Sequence, residues 1–258
     1  MCFEPDSSPP IEPIAGAAVT HERLILEAPD GNRFAAFDAV PYAPTGAGVV
    51  ILPDVRGLYR FYEELALRFA ERGIRALAID YFGRTAGTDE RPDEWDYAPH
   101  VAQTRQKTLQ ADIGTAVHRL RSPEGGDCRA VFTVGFCFGG SISWLAAASG
   151  HGLSGAIGFY GRPGRRNDEP GPAERARDMH GTPILALMGG ADPAIPAEDI
   201  ATLEAAFADA GLDYDVVVYE GAPHSFFDRK YDEFREASED AWNRTLAFIA
   251  RHGGDDPR

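Results

Sequence analysis

Lysine is nearly absent from this 258-residue chain: of 25 basic residues only Lys107 and Lys230 are lysines, against 40 acidic side chains. The resulting net charge of −15 excludes a basic nucleic-acid footprint, and any anion the protein grips must be held mostly by forked, planar guanidinium groups. Cysteine is scarce too. Cys2, Cys128 and Cys137 cannot all pair, and none has CxxC spacing, which excludes a disulfide framework and the common zinc and redox motifs and fits a reducing compartment. No apolar run approaches the roughly 18 residues of a membrane span, and the first residues lack the basic segment and apolar core of a secretory signal. A cytoplasmic protein is therefore expected, a monomer or homodimer with no nucleic-acid or membrane partner. His100, His118 and His180 lack an H-E-x-x-H or similar array, so neither a metal nor another cofactor is expected.

What is present is ordinary globular material, 44% hydrophobic and 25% charged, of a length that suits one large α/β domain. Residues 1–20 are rich in proline, alanine and serine without periodicity and read as a surface arm; residues 21–258 read as a single domain. Arg23 to Glu27 and Arg33 to Val40 flank the turn signal Pro29-Asp30-Gly31-Asn32 and predict an antiparallel hairpin. Six short apolar runs follow, at 48–52, 74–79, 130–134, 155–159, 184–188 and 215–219, the pattern of parallel strands buried on both faces. Helical length and spacing mark 61–72, 101–120, 140–148, 197–210 and 232–250 between and after them. Eight strands alternating with helices imply a mostly parallel, doubly wound sheet with helices on both faces. Thr85 to His100 and Arg162 to His180, polar and irregular, are expected as excursions outside the sheet.

The run Val131-Phe-Thr-Val-Gly135-Phe-Cys137-Phe-Gly139-Gly140 takes a buried strand directly into a helix through G-x-C-x-G, the nucleophile elbow with cysteine in the serine position. Glycines are needed there because the nucleophile sits on a strained turn where neighbouring chains pass closely, and the helix N-terminus favours a thiolate. The usual fate of a cysteine is a buried structural one; its position argues otherwise. Asp192, in Met188-Gly-Gly-Ala-Asp192-Pro193, and His224, in Ala222-Pro-His224-Ser-Phe226, each follow a predicted strand in the order nucleophile, acid, histidine. Taken singly, Asp192 could be a helix cap and His224 a loop histidine; type, order and strand-end placement together favour a triad at the ligand-binding edge of the sheet. Oxyanion donors are then expected from the backbone N–H of Phe138 and of Val55, just beyond the third strand.

These motifs, with Gly158-Phe-Tyr160-Gly161 and Asp80-Tyr-Phe-Gly-Arg84, resemble the dienelactone hydrolase family, cysteine-nucleophile members of the α/β-hydrolase fold, over about 22–252. The resemblance implies hydrolysis of a carboxylate-bearing enol-lactone, dienelactone to maleylacetate, in bacterial catechol and chlorocatechol breakdown, through a Cys137 thioester. It implies that Asp54, one methylene shorter than the family's usual glutamate, interacts with the resting thiol. It also implies that Arg84 binds the substrate carboxylate, that Arg229 stands nearest the family's second arginine though displaced by one position, and that Tyr160, Ser225 and Phe226 line the pocket. An ordinary thiol, with a pKa near 8.5, is only a few per cent ionised at pH 7, so activation is required. Two other readings stay open: a carboxylesterase or thioesterase of wider specificity, and a non-catalytic ligand-binding protein on a hydrolase scaffold.

Overall fold

In a computed structural model, which describes residues 7–92, 94–228 and 230–254, the turn at 29–32 closes the expected hairpin. Gly31 adopts φ +82° and the Asn32 N–H donates to the Asp30 carboxylate at 3.2 Å. β1 (Val19–Glu27) and β2 (Arg33–Pro41) pair antiparallel from Glu27–Arg33 to Val19–Pro41. The hairpin reaches four residues further back than its apolar pattern, and Ile11 of the preceding arm is buried against the core.

The remaining strands are β3 (Ala47–Leu52), β4 (Arg75–Ile79), β5 (Ala130–Phe136), β6 (Gly155–Phe159), β7 (Ile184–Gly189) and β8 (Tyr214–Tyr219). They form one sheet in the order β1-β2-β4-β3-β5-β6-β7-β8, parallel from β4 onward. The helices are α1 (Arg60–Ala70), α2 (Gly83–Ala86), α3 (Ala98–Gln103), α4 (Gln106–Arg121), α5 (Phe138–Ala147), α6 (Pro172–Arg175), α7 (Ala197–Asp209) and α8 (Arg235–His252). Alternate residues of β3, β4 and β5 enter different clusters. Val49 and Ile51 join Leu65 of α1, Leu203 of α7 and Phe248 of α8 on one face, while Val50 and Leu52 join Ile113 of α4 and Ile142 of α5 on the other. Burial on both faces is why these strands read as unbroken apolar runs. No helix of the described residues is long and apolar enough to cross a membrane.

The expected helix over 101–120 is instead two, α3 and α4, separated by extended backbone at Thr104 (ψ 145°) and Arg105 (ψ 140°). The break is stabilised from outside the segment. Asn167 donates to the carbonyls of Val101 and Thr104 at 3.1 and 3.2 Å, and Glu169 accepts the Gln106 N–H at 2.8 Å. Backbone groups that a continuous helix would have paired internally are thus satisfied by a distant loop.

β3 and β5 are sequence-nonconsecutive neighbours, with β4 on one side and β6 on the other. The strand order reverses between them, and the loops leaving their carboxyl ends flank the crevice where open α/β sheets bind ligands.

Candidate active site

Cys137 stands between β5 and α5 with φ 55° and ψ −111°, a left-handed backbone that is costly for a residue with a side chain and persists only where its surroundings enforce it. The surroundings are glycines without room to spare. A Cβ on Gly135 would lie 1.9 Å from the Gly139 carbonyl oxygen, one on Gly139 would lie 2.1 Å from that of Leu52, and one on Gly140 would lie 2.7 Å from that of Phe159. The Cys137 N–H donates to the Phe159 carbonyl at 3.0 Å, which ties the elbow to β6.

The loop after β3 is fixed as firmly. The Asp54 N–H donates to the Tyr62 hydroxyl at 3.0 Å, and the Tyr81 hydroxyl donates to the Pro53 carbonyl. Burial pushes the Tyr81 phenol well above its ordinary pKa, so it remains a donor. Asp54 is fully buried. One carboxylate oxygen accepts the Arg56 N–H at 2.8 Å and the other the Arg56 guanidinium at 3.2 Å, so both carboxylate oxygens bond within the loop, and among the described residues neither bonds the Cys137 thiol. Among the described residues neither the Val55 nor the Phe138 N–H has an acceptor. Two amides on rigid supports are therefore free to meet a developing oxyanion.

On the other side, Asp192 follows β7 and His224 follows β8. His224 Nδ1 lies 2.6 Å from the buried Asp192 carboxylate, whose second oxygen accepts the Ala194 N–H at 2.8 Å. That bond orients the ring and sets its tautomer. Tyr160, at the end of β6, packs its ring 4.9 Å from the His224 ring and donates its hydroxyl to the buried Asp228 at 2.8 Å. Phe226 is sealed between Tyr160 and Tyr219. Tyr160 thus backs the histidine, and Phe226 backs Tyr160. Ser225, with φ 63°, is buried, and its Oγ has no hydrogen-bond partner among the described residues.

The structure takes Arg84 elsewhere. Its guanidinium is divided between Asp30, at 2.6 Å, and Asp112. Asp112 has a fully buried side chain and also accepts from Asn32 at 3.0 Å. Burial pushes the Asp112 carboxyl up in pKa, against the opposing pull of Arg84. Two carboxylates occupy a fork that the sequence pattern reserved for substrate. Arg229 lies outside the described residues. Trp95 packs down, with Phe82 at 5.2 Å, His100 at 4.7 Å and the Arg91 guanidinium at 5.0 Å from its ring.

Sequence reasoning missed Arg56, Tyr81 and Asp228, and also Arg166, whose guanidinium lies over the Phe138 ring at 4.9 Å. Only Arg166 had a readable signal. It precedes Asn167-Asp168, both with positive φ (49° and 62°), a pair suited to a two-residue hairpin turn that fixes the residues on either side.

A strained elbow at the carboxyl edge of a mostly parallel sheet, with a bonded Asp–His pair on the loops after the last two strands, is the organisation of an α/β-hydrolase. Comparison with known proteins narrows the class. The chain belongs to the dienelactone hydrolase family, whose model matches residues 34–253, and is a hydrolase acting on ester or lactone bonds. It is similar to a "Putative carboxymethylenebutenolidase" of Salmonella typhimurium, 31% identical over 87% of this chain and 85% of that protein. A "Probable 2-oxo-3-(5-oxofuran-2-ylidene)propanoate lactonase" of Bradyrhizobium is 27% identical over 79% of this chain and 83% of its own length. The crystal structure titled "Putative Dienelactone Hydrolase" from Klebsiella pneumoniae matches with a TM-score of 0.78 at 27% identity, covering 90% of this chain and 99% of that one.

Proposed function

We propose that the protein opens a small lactone or ester through a Cys137 thioester. The observation that carries the reading is the 2.6 Å Asp192–His224 bond, made by loops of β7 and β8 on the same sheet edge as the strained Cys137. His224 takes the Cys137 thiol proton, the thiolate attacks the acyl carbon, and the carbonyl oxygen becomes an oxyanion held by the Val55 and Phe138 amides. The carbon–oxygen bond breaks, and the alkoxide or enolate leaves with a proton from the His224 imidazolium. His224 then takes a proton from water as the hydroxyl adds to the thioester, and the carboxylic acid departs as the thiol reforms. Asp192 orients the imidazole throughout and stabilises its charged form.

The names borne by the Salmonella and Bradyrhizobium relatives favour a lactone carrying a carboxylate, as in the breakdown of aromatic compounds, with water as the only co-reactant and the cytoplasm as the place of action. The pairing of Arg84 with two carboxylates favours a second reading, an esterase of neutral substrates. Rates on carboxylate-bearing lactones and on neutral aryl esters of matched size separate the two. Cys137→Ala, purified and as stable as the parent, is expected to lose hydrolysis of every substrate the parent accepts; retained turnover would overturn the scheme.

A further inference from the structure

The loop between β6 and α6 carries three arginines and α6 ends on a fourth, and the structure treats them unequally. Arg165 is neutralised, bonded to the Glu174 carboxylate at 2.7 Å and to the Asp168 carbonyl at 2.6 Å. Arg175 reaches Asp178 and the Ala148 carbonyl. Arg166 has no carboxylate partner among the described residues; its guanidinium lies 4.9 Å from the centroid of Phe138, the residue that follows the nucleophile. The acid best placed to neutralise it, Glu169, is turned away onto the Gln106 N–H at 2.8 Å. Arg162 has no carboxylate partner among the described residues either, and its carbonyl accepts from Ser141 of α5 at 2.8 Å. Its charge bears on Arg166.

Arg166 is also held in place. Its N–H donates to the Glu169 carbonyl at 3.2 Å and its carbonyl accepts the Glu169 N–H at 2.9 Å, which closes a two-residue turn over Asn167 and Asp168. The turn is clamped to the α3–α4 junction by Asn167 and Glu169. Burial lowers the guanidinium's pKa, while Cys137 and Arg162 act in opposite directions upon it. It stays charged at neutral pH, since arginine does not deprotonate in proteins. A guanidinium stacked on an aromatic face keeps its N–H edge free, and that edge matches a carboxylate bidentately.

We infer that Arg166, seated on Phe138 beside the nucleophile and backed by Arg162, is the residue that selects substrates bearing a carboxylate, in place of the neutralised Arg84. The inference rests on the hydrolase reading of Cys137 and adds to it the site of anion recognition. It also answers a difficulty of charge. An anionic substrate approaching a chain of net charge −15 needs a locally positive mouth, and the Arg162–Arg166 pair supplies one at the elbow.

Two assays test it. In the first, Cys137 is alkylated with iodoacetate and with iodoacetamide, which differ in charge, and the rate at the Cys137 peptide is followed by mass spectrometry. The iodoacetate-to-iodoacetamide rate ratio is expected to fall about tenfold in Arg166→Gln, the size of one hydrogen bond to a charged group, and to recover partly in Arg166→Lys. In the second, kcat/KM for p-nitrophenyl hemisuccinate is expected to fall about 10- to 100-fold in Arg166→Gln while p-nitrophenyl acetate is little changed. An unchanged alkylation ratio overturns the inference even if both esters are hydrolysed, and so does an equal loss on both esters. If the parent hydrolyses neither ester but the ratio falls as expected, anion recognition by Arg166 stands and the hydrolase mechanism built on Cys137 falls.

Discussion

Replacing Arg84 with methionine separates two roles that cannot both hold. The structure binds Arg84 to Asp112, whose side chain is fully buried, and to Asp30, whose side chain is 43% exposed. Loss of the guanidinium leaves Asp112 a buried carboxylate with Asn32 as its remaining side-chain partner. Breaking a buried pair on one side typically costs about 3–5 kcal/mol. Asn32 still donates, and Arg84 is itself 24% exposed, so the expected loss is about 2–3 kcal/mol, with little from the solvated Asp30 contact. For a domain of this size that lowers Tm by about 5–10 °C. The double variant Arg84→Met/Asp112→Asn, which removes both charges, should return to within about 1 kcal/mol of the parent. Thermal and urea denaturation read the stabilities, and kcat/KM on paired anionic and neutral esters reads the function; at temperatures where Arg84→Met is folded, the two esters should be affected alike. A stable Arg84→Met protein with selective loss of the anionic ester would refute the reasoning and restore Arg84 as the substrate contact.

Asp192→Asn should leave the fold intact while lowering kcat by about 1,000- to 10,000-fold, because the amide removes the acceptor that sets the His224 tautomer; steady-state kinetics beside a melting curve show whether activity alone is lost. Gly139→Ala places a Cβ 2.1 Å and 2.4 Å from the carbonyl oxygens of Leu52 and Pro53, backbone that cannot swing aside, so a destabilisation of about 3 kcal/mol or more is expected in urea titrations. Burial holds Asp80 up at about 6 from an ordinary 3.8, against the pull of Arg91. The folded state therefore favours its protonated form, and this contribution is full below pH 3.8 and lost as pH rises through 6, about 3 kcal/mol in all. Asp80→Asn should flatten the pH dependence of stability between pH 4 and 7, whereas parallel curves for parent and variant would show that Asp80 does not titrate as stated.

Much of this architecture is legible before any coordinates. Strands such as 184–189 and 155–159 declare themselves because burial on both faces leaves no polar position to obscure the run. Cys137, Asp192 and His224 stand out because a strand–turn–helix elbow and two strand-end loops impose local residue types. What escaped reading depends on long-range pairing. Nothing local to Arg84 announces that Asp112, on the next long helix, will reach it, and nothing between 101 and 120 announces that Asn167 and Glu169 will split the helix at Thr104. Asp228 takes a buried role against Tyr160, a partner 68 residues away that no local pattern announces. Arg166 lies within a polar excursion whose charges look alike until partners are assigned: among the described residues Arg165 meets a carboxylate and Arg166 does not.

Covalent attack by Cys137 is the central step of the proposed reaction, and peptide mapping of the acid-quenched enzyme during turnover of an activated p-nitrophenyl ester tests that step most directly. The predicted result is an acyl mass on the Cys137 peptide, labile to hydroxylamine and absent after the substrate is exhausted. Turnover with the acyl group found on a different residue would contradict it.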